Sequence, residues 1–556
     1  MRVLGIEGTA WCASAALYDA ETDAVLIESD PYEPDSGGIH PREAAEHMSE
    51  AIPEVVDAVL TAAEAEHGPD AIDAVAFSKG PGLGPCLRTV GTAARALAGT
   101  LDVPLVGVNH MVAHLEIGRH QSGFENPVCL NASGANAHLL GYHDGRYRVL
   151  GETMDAGVGN AIDKFTRHVG WDHPGGPKVE AAAAEAAAER DANGELVDLP
   201  YVVKGMDFSF SGISSAANDA SDDEVLIGEI CFSLQEHVFA MLTEVSERAL
   251  SLTGADELVL GGGVAQNDRL REMLATMCAA RGADFHAPES RFLRDNAGMI
   301  AVLGAKMAAA GDTVPIADSA IDPKFRPDQV PVRWRDGDAS VARGRGDGER
   351  GDDGDADRRG AEATVEIATA ESGGGARHAI KRRVSKRYRH PELDRALRRD
   401  RTVAEARLTS EARQAGVPTP LVYDVDVPAG TLTLQHVGDR DLAADLDGRL
   451  TAAVGRHLAR LHGAGIVHGD PTTRNVRVER PEDGDARATL IDFGLAYHTG
   501  HVEDHAMDLH VFEGSIRATA TAPGSLIEAF EAGYAEVGDG DVLDRLREVE
   551  GRGRYR

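Results

Sequence analysis

Residues 3 to 18 and 128 to 142 repeat one pattern, and that repeat limits the possible folds more than any other feature of the chain. In the first, Val3-Leu4-Gly5-Ile6-Glu7 reads as a strand, Gly8-Thr9-Ala10 as a small-residue turn and Cys12 to Leu17 as a returning strand. In the second, Val128 to Ala132, Ser133-Gly134-Ala135-Asn136 and Ala137 to Tyr142 take the same three roles. Amphipathic helical segments lie between, from Pro41 to Ala65 and from Leu87 to Leu101, with a strand at Ala74 to Phe77 and a rigid bend at Gly80 to Pro85. The alternation predicts an α/β domain made of two similar lobes over residues 1–325. Backbone N–H groups at the two turns, with the Thr9 hydroxyl, are expected to receive a phosphate. A third turn, Gly261-Gly262-Gly263 after the apolar Leu258-Val259-Leu260, leaves room for a flat ligand, with Asn267 placed to bond it.

Asn109-His110-Met111-Val112-Ala113-His114 follows an apolar strand, Val103 to Val108. Histidines four apart on a helix share a face, with Cβ atoms roughly 6 Å apart, so two imidazoles can reach one ion. By itself the pair fits unrelated surface or core histidines equally well. Asp295, in the polar turn before the apolar segment Ala297 to Ala301, shifts the balance. Two neutral imidazoles and a carboxylate with open positions suit iron(II) or zinc. Asp163, in Asn160-Ala161-Ile162-Asp163, reads as a helix cap or a ligand contact, and Gly175-Gly176 is a bend followed by the acid Glu180.

Residues 326–359 are rich in Gly, Asp and Arg with scattered apolar residues, and are expected to form a disordered linker. From 360 onward a second set of motifs appears. Lys381 sits on an apolar strand, and Glu405 is on a helix that can bring it to that lysine. His468-Gly469-Asp470 is followed by Asn475, and Ile491-Asp492-Phe493-Gly494 comes later. A phosphotransferase needs these elements in this order: an acid to accept a hydroxyl proton, and an amide and second acid to hold magnesium on ATP. Residues 377–413 carry 13 Lys or Arg against five Asp or Glu. This patch suits either a phosphate backbone or the acidic first domain.

The chain has 556 residues, which fits two to four domains, and a formal charge of −35. Eight of the 56 basic residues are Lys, and acid dominates the remaining charge. That balance suits a protein in molar salt, where the Debye length is about 3 Å and net charge says little about partners. Nucleic acid is therefore not excluded. Five cysteines lie far apart with no Cys-x-x-Cys, as expected of reduced residues in a cytosolic protein. No apolar run approaches the roughly 18 residues that span a bilayer, so a soluble cytoplasmic protein with no membrane partner is expected.

Taken together, residues 1–325 resemble the catalytic subunit of the KEOPS complex, a member of the actin and sugar-kinase superfamily that makes threonylcarbamoyladenosine in tRNA. Residues 360–556 resemble its companion small atypical serine/threonine protein kinase. The resemblance rests on the paired histidines, Ser133-Gly134, Pro174-Gly175-Gly176-Pro177, the Gly261 to Asn267 turn and Asp295-Asn296. In the second unit it rests on Gly360-Ala361-Glu362-Ala363, Lys386-Arg387-Tyr388-Arg389, His468-Gly469-Asp470 and Glu503-Asp504. It implies iron or zinc on His110, His114 and Asp295, with Asn131 where archaeal relatives usually carry a metal-binding Tyr. It implies threonylcarbamoyl-adenylate on Asn131, Ala132, Ser133, Gly134, Ala135, Asp163, Gly176, Glu180 and Asn267. In the kinase it implies ATP at Gly360, Ala361, Glu362, Ala363, Lys381 and Glu405, magnesium on Asn475 and Asp492, and Asp470 as proton acceptor. The implied partners are tRNA and the small KEOPS subunits. Three further departures stand out: Ala135 in place of a second glycine, and Pro471 and Arg474 beside the kinase acid. Two other readings compete. A metallopeptidase would place Glu directly after the first histidine, where this chain has Met111. A regulatory scaffold would bind nucleotide in the first domain without catalysis.

Overall fold

The structure is a computed structural model of the 556-residue chain, describing residues 1–32, 39–134, 136–143, 145–189, 194–335, 358–369, 377–481 and 485–552. The repeat seen in the sequence becomes two five-stranded sheets of one topology. The first comprises β1 (Arg2–Glu7), β2 (Cys12–Asp19), β3 (Ala24–Pro31), β4 (Ala74–Gly80) and β5 (Leu105–Asn109), ordered β3-β2-β1-β4-β5. The second comprises β6 (Val128–Ala132), β7 (Ala137–His143), β8 (Arg146–Glu152), β11 (Glu257–Gly261) and β12 (Asp284–His286), ordered β12-β11-β6-β7-β8; a short ribbon, β9 (Val203–Lys204) and β10 (Asp207–Phe208), lies apart. In each sheet three strands form an antiparallel meander, and the first of them then pairs in parallel with the fourth. The duplicated two-lobe expectation is met at the level of strand order and direction.

Helices cover both faces of each sheet, which is why the strands carry nearly unbroken apolar runs. On the outer face of the first, α1 (Pro41–His67) and α2 (Gly84–Leu101) pack Met48, Ile52, Val56 and Val90 on Leu4, Ile6, Ala15 and Val75. Between the two sheets run α3 (His110–Ser122) and, from the far end of the domain, a helix over Ala297–Ala309. Residues His110 to Gly118 of α3 are all buried, so over this stretch the helix has no solvent face and no amphipathic stripe. A side chain at Gly118 would collide with Val259 of β11, and the missing Cβ lets helix and sheet approach closely. On the outer face of the second sheet lie α4 (Val158–His168), α5 (Gly175–Glu189), α6 (Ser211–Asp222), α7 (Ile227–Thr253) and α8 (Asp268–Arg281). A single-turn helix, α9 (Ser290–Leu293), leads into the Ala297–Ala309 helix, α10.

Residues 326–335, expected as the start of a linker, are instead packed on the first domain. Val330 is buried, and Trp334 stacks against Tyr147. The fully buried Arg335 guanidinium lies 3.9 Å from the Tyr142 ring and 3.6 Å from Glu116. Sequence polarity concealed this because Arg335 is held by aromatic faces and a buried carboxylate, a context no local window contains. The rest of the expected linker, from 336 to 357, lies outside the described residues.

The second domain opens with the sheet β13-β14-β15-β17-β16, built from β13 (Arg358–Arg359), β14 (Ala363–Thr369), β15 (Arg377–Arg383), β16 (Val422–Asp426) and β17 (Thr431–Gln435). Against it lies α11 (Pro391–Gln414), and beyond it a helical lobe with α12 (Gly448–Gly463), α13 (Val502–Thr519) and α14 (Pro523–Ala535) around a core that includes Phe493, Phe512 and Phe530. This is the two-lobed, α+β plan expected of a kinase. The domains are pressed together along α7, most of whose 27 residues are buried, and Tyr388 and Ala518 of the second domain enter the core of the first.

That contact decides the role of the basic stretch. Arg383, Arg389 and Arg401 are buried and paired with Glu244, Glu362 and Glu405, and Lys386 reaches Glu247 at 2.6 Å. The stretch therefore binds the acidic first domain and its own domain's acids. Its inner arginines are not available to a phosphate backbone.

Candidate functional site

The end of β5 hands directly to α3, because Asn109 accepts a hydrogen bond from the Val112 N–H at 3.0 Å and starts the helix. This puts His110 in the first turn and His114 one turn on. Asn296 does the same for α10, accepting from Met299, and leaves Asp295 just before the helix. The three side chains meet although 181 residues separate His114 from Asp295. Both Nε2 atoms face one Asp295 oxygen, at 3.3 Å from His110 and 3.2 Å from His114, and the ligand atoms lie within 4.8 Å of one another. Two imidazole nitrogens and a carboxylate oxygen at these separations fit iron(II) or zinc(II).

Behind His110 stands Glu7, which is fully buried at the end of β1. Its Oε2 is 3.2 Å from His110 Nδ1, so a proton on Nδ1 leaves the Nε2 lone pair for a metal. The Thr9 N–H and hydroxyl both donate to Glu7 Oε1, at 2.8 and 2.6 Å, and the Ser78 hydroxyl donates to Oε2. The Thr9 turn, expected to receive a phosphate, is thus engaged in holding Glu7. Burial opposes a charge on His110, but Glu7 and Asp295 outweigh it and push its pKa up to about 10. Burial also works against the Asp295 carboxylate, yet His110 and His114 hold it well below the usual range. On His114 burial prevails and lowers the pKa. The fully buried Glu7 and the largely buried Asp295 thus favour positive charge at this point, which a proton on His110 or a divalent cation can supply.

The other expected contacts are held at turns and helix starts of the second lobe. Asn131 and Ala132 end β6 beside the glycine turn: a Cβ at Gly262 would come within 2.6 Å of Asn131 Oδ1. Ser133 closes its turn by donating to the Asn136 carbonyl at 2.8 Å, and the Gly134 carbonyl accepts from Asn160 at the start of α4. Asp163 lies inside α4 and does not cap it; its Oδ1 accepts from Gly175 N–H at 2.8 Å and so fixes the start of α5. A Cβ at Gly176 would meet open space. Glu180 accepts from Asp268 N–H at 3.0 Å, at the start of α8. Asn267 caps α8 through Oδ1 and donates Nδ2 to Gln235 at 3.1 Å, so it shapes the turn with its side chain already engaged. Ala135 lies outside the described residues.

In the second domain the expected set also converges. Lys381 Nζ lies 2.7 Å from both Glu405 and Asp492, and Asn475 Nδ2 donates to Asp470 at 3.0 Å. Burial, with Asp492 and Glu362 nearby, pushes Asp470 up to about 7 against the pull of Arg248. Burial would raise Asp492 too, but Lys381 and Arg383 hold it down at about 2. The Gly360 N–H bonds the Ala363 carbonyl at 2.9 Å and tightens the loop, while Glu362 is held by Arg248, Arg383 and Arg401. Sequence reading missed Arg248. From α7 of the first domain it reaches Asp470 at 2.7 Å, and nothing in the Ser246-Glu247-Arg248 segment signals a contact 222 residues away. Glu7 was partly legible, as an acid ending an otherwise apolar strand.

The structure is a two-lobe α/β domain with a His110-His114-Asp295 cluster that could hold a metal ion, joined to a second, two-lobed α+β domain. Residues 23–302 match the tRNA N6-adenosine threonylcarbamoyltransferase family, and residues 429–534 match the lipopolysaccharide kinase (Kdo/WaaP) family. The chain is 68% identical over 558 residues to a protein of Halobacterium salinarum, covering 100% of this chain and 99% of that one. It is 65% identical over 557 residues to one of Haloquadratum walsbyi, covering all of both, and 45% identical over 560 residues to one of Methanosarcina acetivorans, covering 100% and 99%. Each of these relatives is described as a probable bifunctional tRNA threonylcarbamoyladenosine biosynthesis protein. The chain belongs to the tRNA N6-adenosine threonylcarbamoyltransferase family, in the bifunctional form that carries a kinase-like domain.

Proposed function

We propose that the first domain transfers threonylcarbamoyl from threonylcarbamoyl-AMP to N6 of the adenosine beside the anticodon in tRNAs that read codons beginning with A. The supporting observation is the convergence of His110, His114 and Asp295 at the mouth of the Asn131 and Gly261 turns. His110, His114 and Asp295 would hold iron(II) or zinc(II), with Asn131 beside them; the ion supplies Lewis-acid polarisation of the carbamoyl carbonyl. Glu7 fixes the His110 tautomer. The backbone from Asn131 to Gly134, with Asp163, Gly176, Glu180 and the Asn267 turn, seats the adenylate, and the open space over Gly176 admits it without a Cβ in the way. The amine of the adenosine attacks the carbamoyl carbon and AMP leaves.

In the second domain, ATP would lie against the Gly360–Ala363 loop and Lys381, Asn475 and Asp492 would hold magnesium on its phosphates, and Asp470 would accept the proton. Arg248 on Asp470 closes the acid to a large protein substrate, which favours ATP hydrolysis or self-phosphorylation coupled to the first domain. The partners are tRNA and small KEOPS subunits, in the cytoplasm; among the described residues no helix is long and apolar enough to cross a membrane. A peptidase reading has no support from the site, since Met111 stands where a zincin needs its glutamate.

Nucleoside mass spectrometry of tRNA after incubation with threonylcarbamoyl-AMP tests the proposal. Asp295→Ala should yield no modified adenosine while retaining ATP hydrolysis, and Lys381→Ala should lose hydrolysis with metal content unchanged. Modification by Asp295→Ala at the wild-type level would refute the metal assignment.

A further inference from the structure

Next to the metal centre is a buried histidine with no assigned task. His138 lies on β7 directly opposite Asn131 of β6, and it is 1% exposed. Neither of its ring nitrogens has a hydrogen-bond partner among the described residues. Asn131 Oδ1 and His114 Nδ1 are in the same condition. These four atoms belong to one neighbourhood. A Cβ at Gly261 would sit 3.5 Å from Asn131 Oδ1 and 3.7 Å from His114 Cβ, so the Asn131 amide fills the gap between the glycine turn and α3. Residues opposite each other across two strands share a face, with Cβ atoms about 4.5–5.5 Å apart, so the His138 ring projects beside that amide toward the same helix. The charges of His114 and His110 also reach it, adding to burial in keeping the ring neutral.

A neutral imidazole carries one donor and one acceptor, and a carboxamide carries two N–H donors and a carbonyl acceptor. Buried groups of this kind are nearly always paired, and a cluster of unpaired ones beside a metal-ligand set indicates a partner that arrives with the ion. Asn131 can offer a cation only its carbonyl oxygen. That orientation turns Nδ2 away from the ion, where it needs an acceptor. His138, the cross-strand neighbour, has one.

We propose that His138 is a positioning residue of the metal centre: in the loaded protein its unprotonated ring nitrogen accepts a hydrogen bond from Asn131 Nδ2, fixing Asn131 Oδ1 toward the cation as a fourth protein ligand. This rests on the metal reading given above and adds to it the residue that makes an asparagine serviceable as a ligand. Leu140, the next residue on that face of β7, is buried among apolar side chains, so packing on this face does not call for an imidazole.

The test titrates the metal-free full-length protein in molar salt with Co2+, following its visible spectrum and measuring Kd by chelator competition. His138→Leu should weaken binding roughly 10–100-fold, the range for losing a group that orients a metal ligand. His138→Gln, which keeps an acceptor, should recover most of the affinity. Asn131→Ala should lose as much as His138→Leu, and the double variant no more than either alone. The metal-free His138→Leu protein should melt at or above the wild-type temperature, since it buries one unpaired polar ring fewer. Wild-type affinity and an unchanged Co2+ spectrum in His138→Leu would overturn the proposal and leave the metal centre standing. Additive losses in the double variant would overturn it too. Failure of the wild-type protein to bind Co2+, Zn2+ or Fe2+ would instead remove the metal reading on which it rests.

Discussion

Replacing Glu244 by Gln tests whether the two domains are bound by buried charge. The carboxylate sits on α7, almost completely buried, and meets three guanidiniums. Arg389 and Arg401 of the second domain approach to 2.5 and 3.0 Å, and Arg248 of its own helix to 3.0 Å. Tyr201 donates to it at 2.7 Å. Burial disfavours its charge, but the three arginines hold its pKa below the ordinary value. Glutamine keeps the volume and one acceptor oxygen but removes the charge, leaving Arg248 to Glu362 and Asp470, Arg401 to Glu362, and Arg389 to Asp394 at 3.8 Å. Breaking a buried pair by removing one partner costs about 3–5 kcal/mol. With an unfolding entropy of roughly 2 cal/mol/K per residue over about 300 residues, a degree of melting temperature corresponds to roughly 0.6 kcal/mol. Calorimetry should therefore show the first transition of Glu244→Gln lowered by about 5–8 °C. The loss should persist in molar salt, because buried pairs are little screened, whereas breaking the exposed Arg42–Glu46 pair should have no measurable effect there. A shift under about 2 °C, or one that vanishes with salt, would refute the reasoning.

Glu7→Gln should weaken metal binding roughly 10–100-fold, by chelator competition, because an amide no longer holds the Nδ1 proton of His110 as a carboxylate does. Asp207, buried on β10 beside Glu152 and 3.9 Å from His510 of α13, has its pKa pushed up to about 7 by burial and by the Glu152 charge, against the Glu152 N–H bond. A carboxyl raised above its unfolded value of about 3.9 contributes stability below that value, which is lost as pH rises through about 7. Asp207→Asn should consequently match the wild type near pH 3 and exceed it by a margin that grows from about pH 4 to 7, reaching about 2–4 kcal/mol at pH 8 in denaturant melts. A gain independent of pH would exclude Asp207 as the titrating group.

Much of this protein could be read along the chain because its cues are local. The repeat of residues 3 to 18 and 128 to 142 depends on apolar runs of strand length and on small residues at turns, and the paired strands of both sheets follow from it. The histidine pair is legible for the same reason, since a helix fixes the relation of positions 110 and 114 without reference to anything else. Asp295 required only an asparagine cap at 296 and an apolar helix after it. In the second domain, Lys381, Asp470, Asn475 and Asp492 each lie in a short motif with its own turn chemistry.

What sequence alone could not determine is which side chains face one another across long separations, because burial and low dielectric, not local spacing, choose those partners. The Thr9 turn has the composition of an anion site, yet Glu7 folds back into it and takes both of its donors. The 377–413 stretch has the charge of a nucleic-acid contact, yet its inner arginines turn toward Glu244 and Glu362. Arg335 sits in a polar segment but is fixed by Tyr142 and Glu116. Arg248 meets Asp470 only because α7 is clamped between two domains. Local periodicity was enough to specify strands, helices and their order; the pairing of buried charges, which costs dearly when unmet and stabilises only when every partner is present, was settled by the packed tertiary structure.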